Sequence, residues 1–153
     1  MRRFAKILSL AVLLFAAGCT TTGGGRRGSP PAANDPRWRT LAMTVTGYCP
    51  CGACCNWRRT WYGRAVIASG PRAGERKAVG ITASGKRAGR GMIAADPDVL
   101  PMRTQLFVPG YGYGTVEDTG GAIQGNKLDL FFETHTQARQ WGVKKLNVRV
   151  RQP

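Results

Sequence analysis

From Arg37 onward, turn-forming residues cut the chain into apolar segments too short for anything but strands. The breaks fall at Pro71, Gly85, Gly89, Gly91, Pro97, Pro101, Pro109-Gly110, Gly120-Gly121 and Gly125-Asn126. Between them lie Leu41–Tyr48, Ala78–Thr82, Met92–Ala95, Gln105–Val108, Gly114–Glu117, Lys127–Phe132 and Leu146–Val150. These segments are β-branched or partly alternating, as strands are. Only Thr136–Trp141 reads as a helix, with Gly142 as its C-terminal stop. A helical bundle needs longer uninterrupted periods. With 21 Gly and 9 Pro among 153 residues, the composition suits a loop-rich all-β domain. Short strands in about 110 residues make a small closed barrel or a sandwich, and composition does not choose between them.

The chain before Arg37 reads as an address and a tether. Arg2, Arg3 and Lys6 precede the apolar run Ile7–Phe15, and Ala16-Ala17-Gly18-Cys19 follows. Basic residues, a short apolar stretch and then small residues are the order of a secretion signal. The run is too short to span a bilayer. Small residues ending at a Cys resemble a bacterial lipobox. That resemblance implies cleavage after residue 18 and lipid on Cys19, which would anchor the protein to a membrane, the outer one in the first instance. An ordinary signal peptide with an incidental Cys19 is the alternative. Residues 19–36 are rich in Gly, Ser and Pro and read as a flexible linker. The folded domain is then residues 37–153.

Charge narrows the partners. The chain has 23 Lys and Arg against 8 Asp and Glu. Residues 19–90 hold 13 basic and 2 acidic residues, whereas residues 91–153 hold 7 and 6. A basic face outside the cytosol suits anionic cell-surface polymers, or serves solubility alone. Nucleic acid is the other usual partner of such charge. No zinc-finger spacing, helix-turn-helix pattern or RNA-binding aromatic motif accompanies it, and no nucleic-acid partner is expected.

The few acids stand out. Asp96 follows Met92-Ile93-Ala94-Ala95, Asp118 follows Thr115-Val116-Glu117, and Asp129 sits between Leu128 and Leu130. A carboxylate among apolar neighbours is desolvated, which raises its pKa. A raised acid can donate a proton near neutrality, as cleavage of a glycosidic bond requires. Asp96-Pro97 and Asp118-Thr119-Gly120 are also good turn sequences. Asp129 has no turn residue beside it and is the better acid candidate. On a strand it shares a face with Lys127, which would lower its pKa, while a nearby Asp118 would raise it.

Three ordered motifs give a sharper reading. They are Gly80-Ile81-Thr82-Ala83-Ser84-Gly85; Ile93-Ala94-Ala95-Asp96-Pro97 with Leu100-Pro101 and Thr104; and Glu117–Gly125 followed by Leu128-Asp129-Leu130-Phe131-Phe132. Together they resemble the three-aspartate (3D) domain family, named for residues matching Asp96, Asp118 and Asp129. This family is related to the catalytic barrel of membrane-bound lytic transglycosylase A. The resemblance covers about residues 43–150 and includes a cysteine cluster before the Thr-Ala-Ser-Gly stretch. It implies a six-stranded double-psi β-barrel that cleaves peptidoglycan glycan strands. Two departures are visible. Residues 56–79 form a long Arg-rich stretch where many relatives are shorter, and Arg103 stands where relatives often have Gly.

The mechanism that the resemblance implies uses one principal acid. The residue matching Asp129 protonates the oxygen between N-acetylmuramic acid and N-acetylglucosamine. It then takes the proton of the muramic C6 hydroxyl, which attacks C1 and closes a 1,6-anhydro ring. No water is consumed, so a second catalytic carboxylate is not required, unlike in an ordinary glycosidase. Asp118 would tune or orient Asp129, and Asp96 would brace the barrel or bind a sugar hydroxyl. Thr82, Ser84 and Gly121 are the substrate contacts carried by the same motifs. No cofactor is expected, and the protein is expected to act as a monomer. Two rival readings remain: a wall-binding module without catalysis, as in expansin-like relatives of the barrel, and a muramidase that hydrolyses the same bond.

Cys49, Cys51, Cys54 and Cys55 lie within seven residues. An even number in an exported domain argues for two disulfides, with three pairings open. The C-x-x-C spacing of Cys51 and Cys54 also fits zinc or redox chemistry. Zinc ligands usually come as two separated pairs, and no second pair exists, so no metal is assigned. Trp57, Trp61, Tyr62, Tyr111 and Tyr113 can stack on sugar faces. Tyr111 and Tyr113 fall in a Gly-rich run read as a mobile loop at a cleft edge. Trp38 and Trp141 read as packing residues. The lone His135 is given no role.

Overall fold

The computed structural model describes residues 28–152. The signal segment and Cys19 lie outside the described residues. Six strands close into a barrel: β1 (Trp38–Tyr48), β4 (Met92–Ala95), β5 (Gln105–Val108), β6 (Gly112–Asp118), β7 (Lys127–Phe131) and β8 (Lys144–Arg151). Around the barrel they run β1-β7-β4-β6-β5-β8, and β8 pairs with β1 to close it. The pairs β1·β7 and β4·β6 are parallel and the others antiparallel. Closure into six strands is the architecture the resemblance implies, and it removes every exposed sheet edge from the barrel.

Alternation decides what faces inward. Met43 and Val45 of β1, Ile93 of β4, Leu106 and Val108 of β5, Val116 of β6, Leu128 and Leu130 of β7, and Val148 and Val150 of β8 are all buried in one core. Each Leu, Ile or Val fully withdrawn from water contributes about 1.5–3 kcal/mol. Branched side chains fit this pleated, crowded interior. On the flank, Tyr111, Phe132, Ala138 and Trp141 join the same core.

Among the described residues two short helices accompany the barrel. The one expected near its end is α2 (His135–Trp141), and Gly142 follows with φ 67°. Its start is set by a capping box: Thr134 accepts from the Gln137 amide, and the Gln137 side chain returns to the Thr134 amide. α2 packs against β1 at Gly47, where an added Cβ would stand 2.7 Å from a Phe132 ring carbon. The other helix, α1 (Gly52–Cys55), is a single turn within the cysteine cluster.

The Arg-rich stretch folds as a separate hairpin, β2 (Trp57–Arg59) and β3 (Ala65–Ile67), which the sequence did not reveal. The turn between them presents Trp61 and Tyr62, 96% and 57% exposed. The strand expected at Ala78–Thr82 is instead turn and single bridge, because Gly80 at φ 73° breaks the extension. Ahead of β1, the chain lies along the barrel: Tyr113 donates to the Ser29 carbonyl, and Arg149 to those of Ala32 and Ala33. Among the described residues no helix is long and apolar enough to cross a membrane.

Candidate active site

Four adjacent strands place a row of residues across the outer face of the barrel. Thr46 of β1 is the register partner of Asp129 on β7, Asp129 pairs with Ala94 on β4, and Ala94 pairs with Asp118 on β6. In β1, β7 and β4 their inward-facing neighbours are Val45, Leu128 and Ile93, so alternation turns these three outward. Asp118 follows a different rule. Val116 points inward, so strict alternation would turn Asp118 inward too. The register between β4 and β6 shifts at this point, and Glu117 is the extra residue. A bulge of this kind re-aims the side chain that follows it. It sends the Glu117 carboxylate to Lys86 at 2.5 Å and brings Asp118 to the outer face beside Ala94.

Asp118 and Asp129 therefore flank a single methyl group. Two inter-strand spacings put their backbones about 10 Å apart, and the space between opens into a cavity of about 420 Å³. Tyr48, Lys77, Ala94, Asp118, Gly121 and Asp129 line it.

The two carboxyls are held differently. Asp118 accepts from the Ala83 amide at 2.8 Å, the Thr119 amide at 2.9 Å and the Tyr48 hydroxyl at 3.3 Å. Three converging donors fix the orientation of this acceptor. Among the described residues Asp129 accepts only from the Thr46 hydroxyl, at 2.8 Å, and that hydroxyl also lies 3.1 Å from the Leu128 carbonyl. Burial pushes the Asp129 carboxyl up to about 6; the Thr46 hydrogen bond pulls down, and the charge of Asp118 pushes up again. Of the two neighbours weighed from the sequence, Asp118 acts on it, while Lys127 is exposed at the start of β7. Tyr48 is held above its ordinary range by burial and then by Asp118, so it stays a donor.

The third aspartate stands apart. Asp96 accepts from the Gly125 amide at 2.6 Å and the Asp98 amide at 3.0 Å, tying the turn after β4 to the turn before β7. Those two amides hold its carboxyl below the ordinary range. It does not line the cavity.

Of the expected substrate contacts, Gly121 alone lines the cavity. Thr82 is buried, with its hydroxyl against Ser84 and the Lys86 backbone. Ser84 is exposed and its amide donates to the Glu117 carbonyl, so this segment braces the bulge. Tyr111 lies inside the core, accepting from the Gly91 amide and donating to the Phe131 carbonyl. Tyr113 belongs to β6 and packs edge-on against Trp38 and Phe107. The Gly-rich run is thus a tight turn and a strand start rather than a mobile loop. Trp141 packs in the core as expected.

Thr46, Tyr48 and the Ala83 amide were missed. Thr46 was findable, since a polar residue between Val45 and Gly47 on a strand must face outward. Tyr48, two residues further along the same expected strand, shares that face by the same alternation.

A larger cavity of about 1070 Å³ lies elsewhere, lined by Arg37, Arg39, Arg103 and Arg151. Its one acid, Asp98, is exposed. It offers cations for binding an anion but no desolvated acid.

The four clustered cysteines carry free thiols. Cys49 Sγ lies 3.7 Å from Cys54 Sγ, and Cys55 donates to the Cys49 carbonyl. Burial pushes Cys49 up to about 12 and Cys55 up to about 11. Cys51 is down at about 6: burial pushes it up, but the Cys49 thiol and the Cys54 and Ala53 groups at the start of α1 outweigh that push.

Residues 91–152 match the family model of the 3D domain. The match begins after the cysteine cluster and the β2–β3 hairpin. Over 75 residues the chain is 45% identical to the cell wall-binding protein YocH of Bacillus subtilis, covering 46% of this chain and 26% of that protein. The chain thus spans about a quarter of that relative's length. Among solved structures it is similar to MltA from Escherichia coli, described as having a lytic transglycosylase fold. The identity there is 22%, covering 52% of this chain and 30% of that one, with a TM-score of 0.40.

Proposed function

We propose that this chain, with the 3D domain matched by residues 91–152, cleaves peptidoglycan glycan strands as a lytic transglycosylase. The observation that carries the reading is Asp129, a desolvated carboxyl pushed up to about 6 at the edge of a cavity it shares with Asp118. An acid so placed keeps a useful protonated fraction near neutrality and is still basic enough to take a proton back.

The steps follow from that property. The Asp129 carboxyl gives its proton to the glycosidic oxygen, and the C1–O bond breaks with its electron pair on the departing sugar. Positive charge develops at muramic C1 and the ring oxygen. The Asp129 carboxylate then takes the proton of the C6 hydroxyl as that oxygen bonds to C1. A 1,6-anhydro ring results, and Asp129 is protonated again. Asp118, fixed by three donors, opposes ionisation of Asp129 before the reaction and faces the developing cation during it. Gly121 and the Ala94 methyl leave the floor open to a pyranose. Asp96 holds the two turns that frame the strand pair.

A second reading is binding without cleavage. The name of YocH favours it, and the basic cavity around Arg37, Arg39, Arg103 and Arg151 suits a polyanionic wall. Under either reading the chain works outside the cytoplasm, held to a membrane by lipid on Cys19. Release of soluble glycan from purified sacculi separates the two. Cleavage predicts release that falls about 10²–10⁴-fold in Asp129→Asn, with sacculus binding retained by both proteins. Binding alone predicts no release from either.

A further inference from the structure

Cys49, Cys51, Cys54 and His135 converge although 81 residues or more separate the histidine from each cysteine. Their ligand atoms all lie within 4.8 Å of one another. His135 Nδ1 is 3.9, 3.5 and 3.4 Å from the sulfurs of Cys49, Cys51 and Cys54, and the Cys49 and Cys54 sulfurs are 3.7 Å apart. A tetrahedral zinc ion with ordinary bond lengths sets these edges independently. Zn–S of about 2.3 Å gives sulfur–sulfur edges of about 3.8 Å, and Zn–N of about 2.0–2.1 Å gives sulfur–nitrogen edges of about 3.5 Å. These four distances scatter around those values, and the two edges from Cys51 Sγ to the other sulfurs lie within 4.8 Å.

We propose that Cys49, Cys51, Cys54 and the Nδ1 atom of His135 form a structural zinc site. Three thiolates and one neutral imidazole are a closed tetrahedral set with no open position, so the ion binds no substrate. Loading displaces whatever protons the three thiols still carry and leaves the ZnS₃N centre with one net negative charge.

The cluster has the form of a ligand set rather than a pair of disulfides. Three sulfurs face one imidazole nitrogen, and an imidazole has no place in a disulfide. The fourth cysteine is excluded: the Cys55 thiol turns back to donate to the Cys49 carbonyl. The second ligand pair that the sequence lacked is replaced by one histidine from a distant element.

Topology shows what the ion would hold. Cys49 directly follows β1, and His135 opens α2 just after β7. The β1 and β7 strands are parallel neighbours ending at Tyr48 and Phe131. Zinc would clamp the exit of this strand pair. The clamped segment also forms one wall of the acidic cavity through Tyr48, Pro50 and Cys54. The inference is independent of whether that cavity cleaves or only binds.

The test is metal content and affinity of the full chain, purified without chelator, reduced, and titrated with zinc against a chromophoric chelator. About one zinc per chain is expected, and cobalt substitution should give the visible bands of a tetrahedral thiolate site. Cys49→Ser, Cys51→Ser, Cys54→Ser and His135→Ala should each weaken zinc binding by more than about 100-fold, beyond the cost of losing an outer partner. Cys55→Ser should bind as the wild type does, and His135→Cys should restore binding as a four-thiolate site. The rescue separates lost ligation from lost folding. A folded, reduced chain that takes up no zinc would overturn the proposal. So would His135→Ala binding zinc as tightly as wild type, or isolation of the chain with two disulfides that reform in the presence of zinc.

Discussion

Asp129→Asn should make the protein more stable, and only above a particular pH. In the unfolded chain the carboxyl titrates near 3.8, and in the folded one near 6. Below pH 3.8 it is neutral in both states and contributes no difference. As pH rises from 3.8 to 6, the unfolded chain loses its proton while the folded chain keeps it, so folding becomes progressively less favourable. Above pH 6 both are ionised and the cost is constant. At about 1.4 kcal/mol per pH unit the full cost is about 3 kcal/mol, and residual solvent access reduces it to about 2 kcal/mol. Asn is neutral at every pH, matches the shape and still accepts from Thr46. Urea midpoints measured at pH 4 and pH 8 should therefore nearly coincide for the two proteins at pH 4. At pH 8 the variant should be ahead by about 2 kcal/mol. A gap independent of pH, or a variant weaker at pH 8, would refute the claim that burial is what raises this carboxyl.

Further expectations test other parts of the structure. Arg103 sits at φ 71°, and its amide donates to the Val116 carbonyl at 2.7 Å; Arg103→Gly should raise stability by about 0.5–1 kcal/mol in thermal or urea unfolding. Gly47→Ala should destabilise by about 1–3 kcal/mol, because its methyl would strike the Phe132 ring under α2. Ala94→Leu should leave the fold intact by circular dichroism but fill the floor between Asp118 and Asp129, cutting glycan release at least as far as Asp129→Asn does.

The barrel was legible because turn residues spelled out its strands. Met92–Ala95 and Gln105–Val108 match the expected ends, and the other four barrel strands differ by a few residues. The failures have local causes. Ala78–Thr82 looks like a strand by composition, yet Gly80 adopts a left-handed turn and leaves Val79 and Ile81 partly exposed. The β2–β3 hairpin hid because two of the three residues of Trp57–Arg59 are arginines and its apolar face is small. At the site, the apolar neighbours of Asp129 announced its desolvation. The position of Asp118 could not be read, since it depends on a one-residue bulge at Glu117 that is a property of strand pairing. Tyr111 misled for a related reason: Gly residues on both sides suggest mobility, but two hydrogen bonds and the Trp141 ring hold it in the core. His135 was invisible because only the fold brings it to the cysteines.

The most direct test of catalysis is the chemistry of the cut ends. Purified sacculi would be incubated with the wild-type chain and with Asp129→Asn, and the released muropeptides weighed by mass spectrometry. Cleavage by Asp129 as acid and then base predicts products one water lighter than reducing-end muropeptides, abundant with wild type and absent with the variant. Reducing-end products would contradict it and require an activated water. Anhydro products at equal levels from both proteins would remove Asp129 from the reaction.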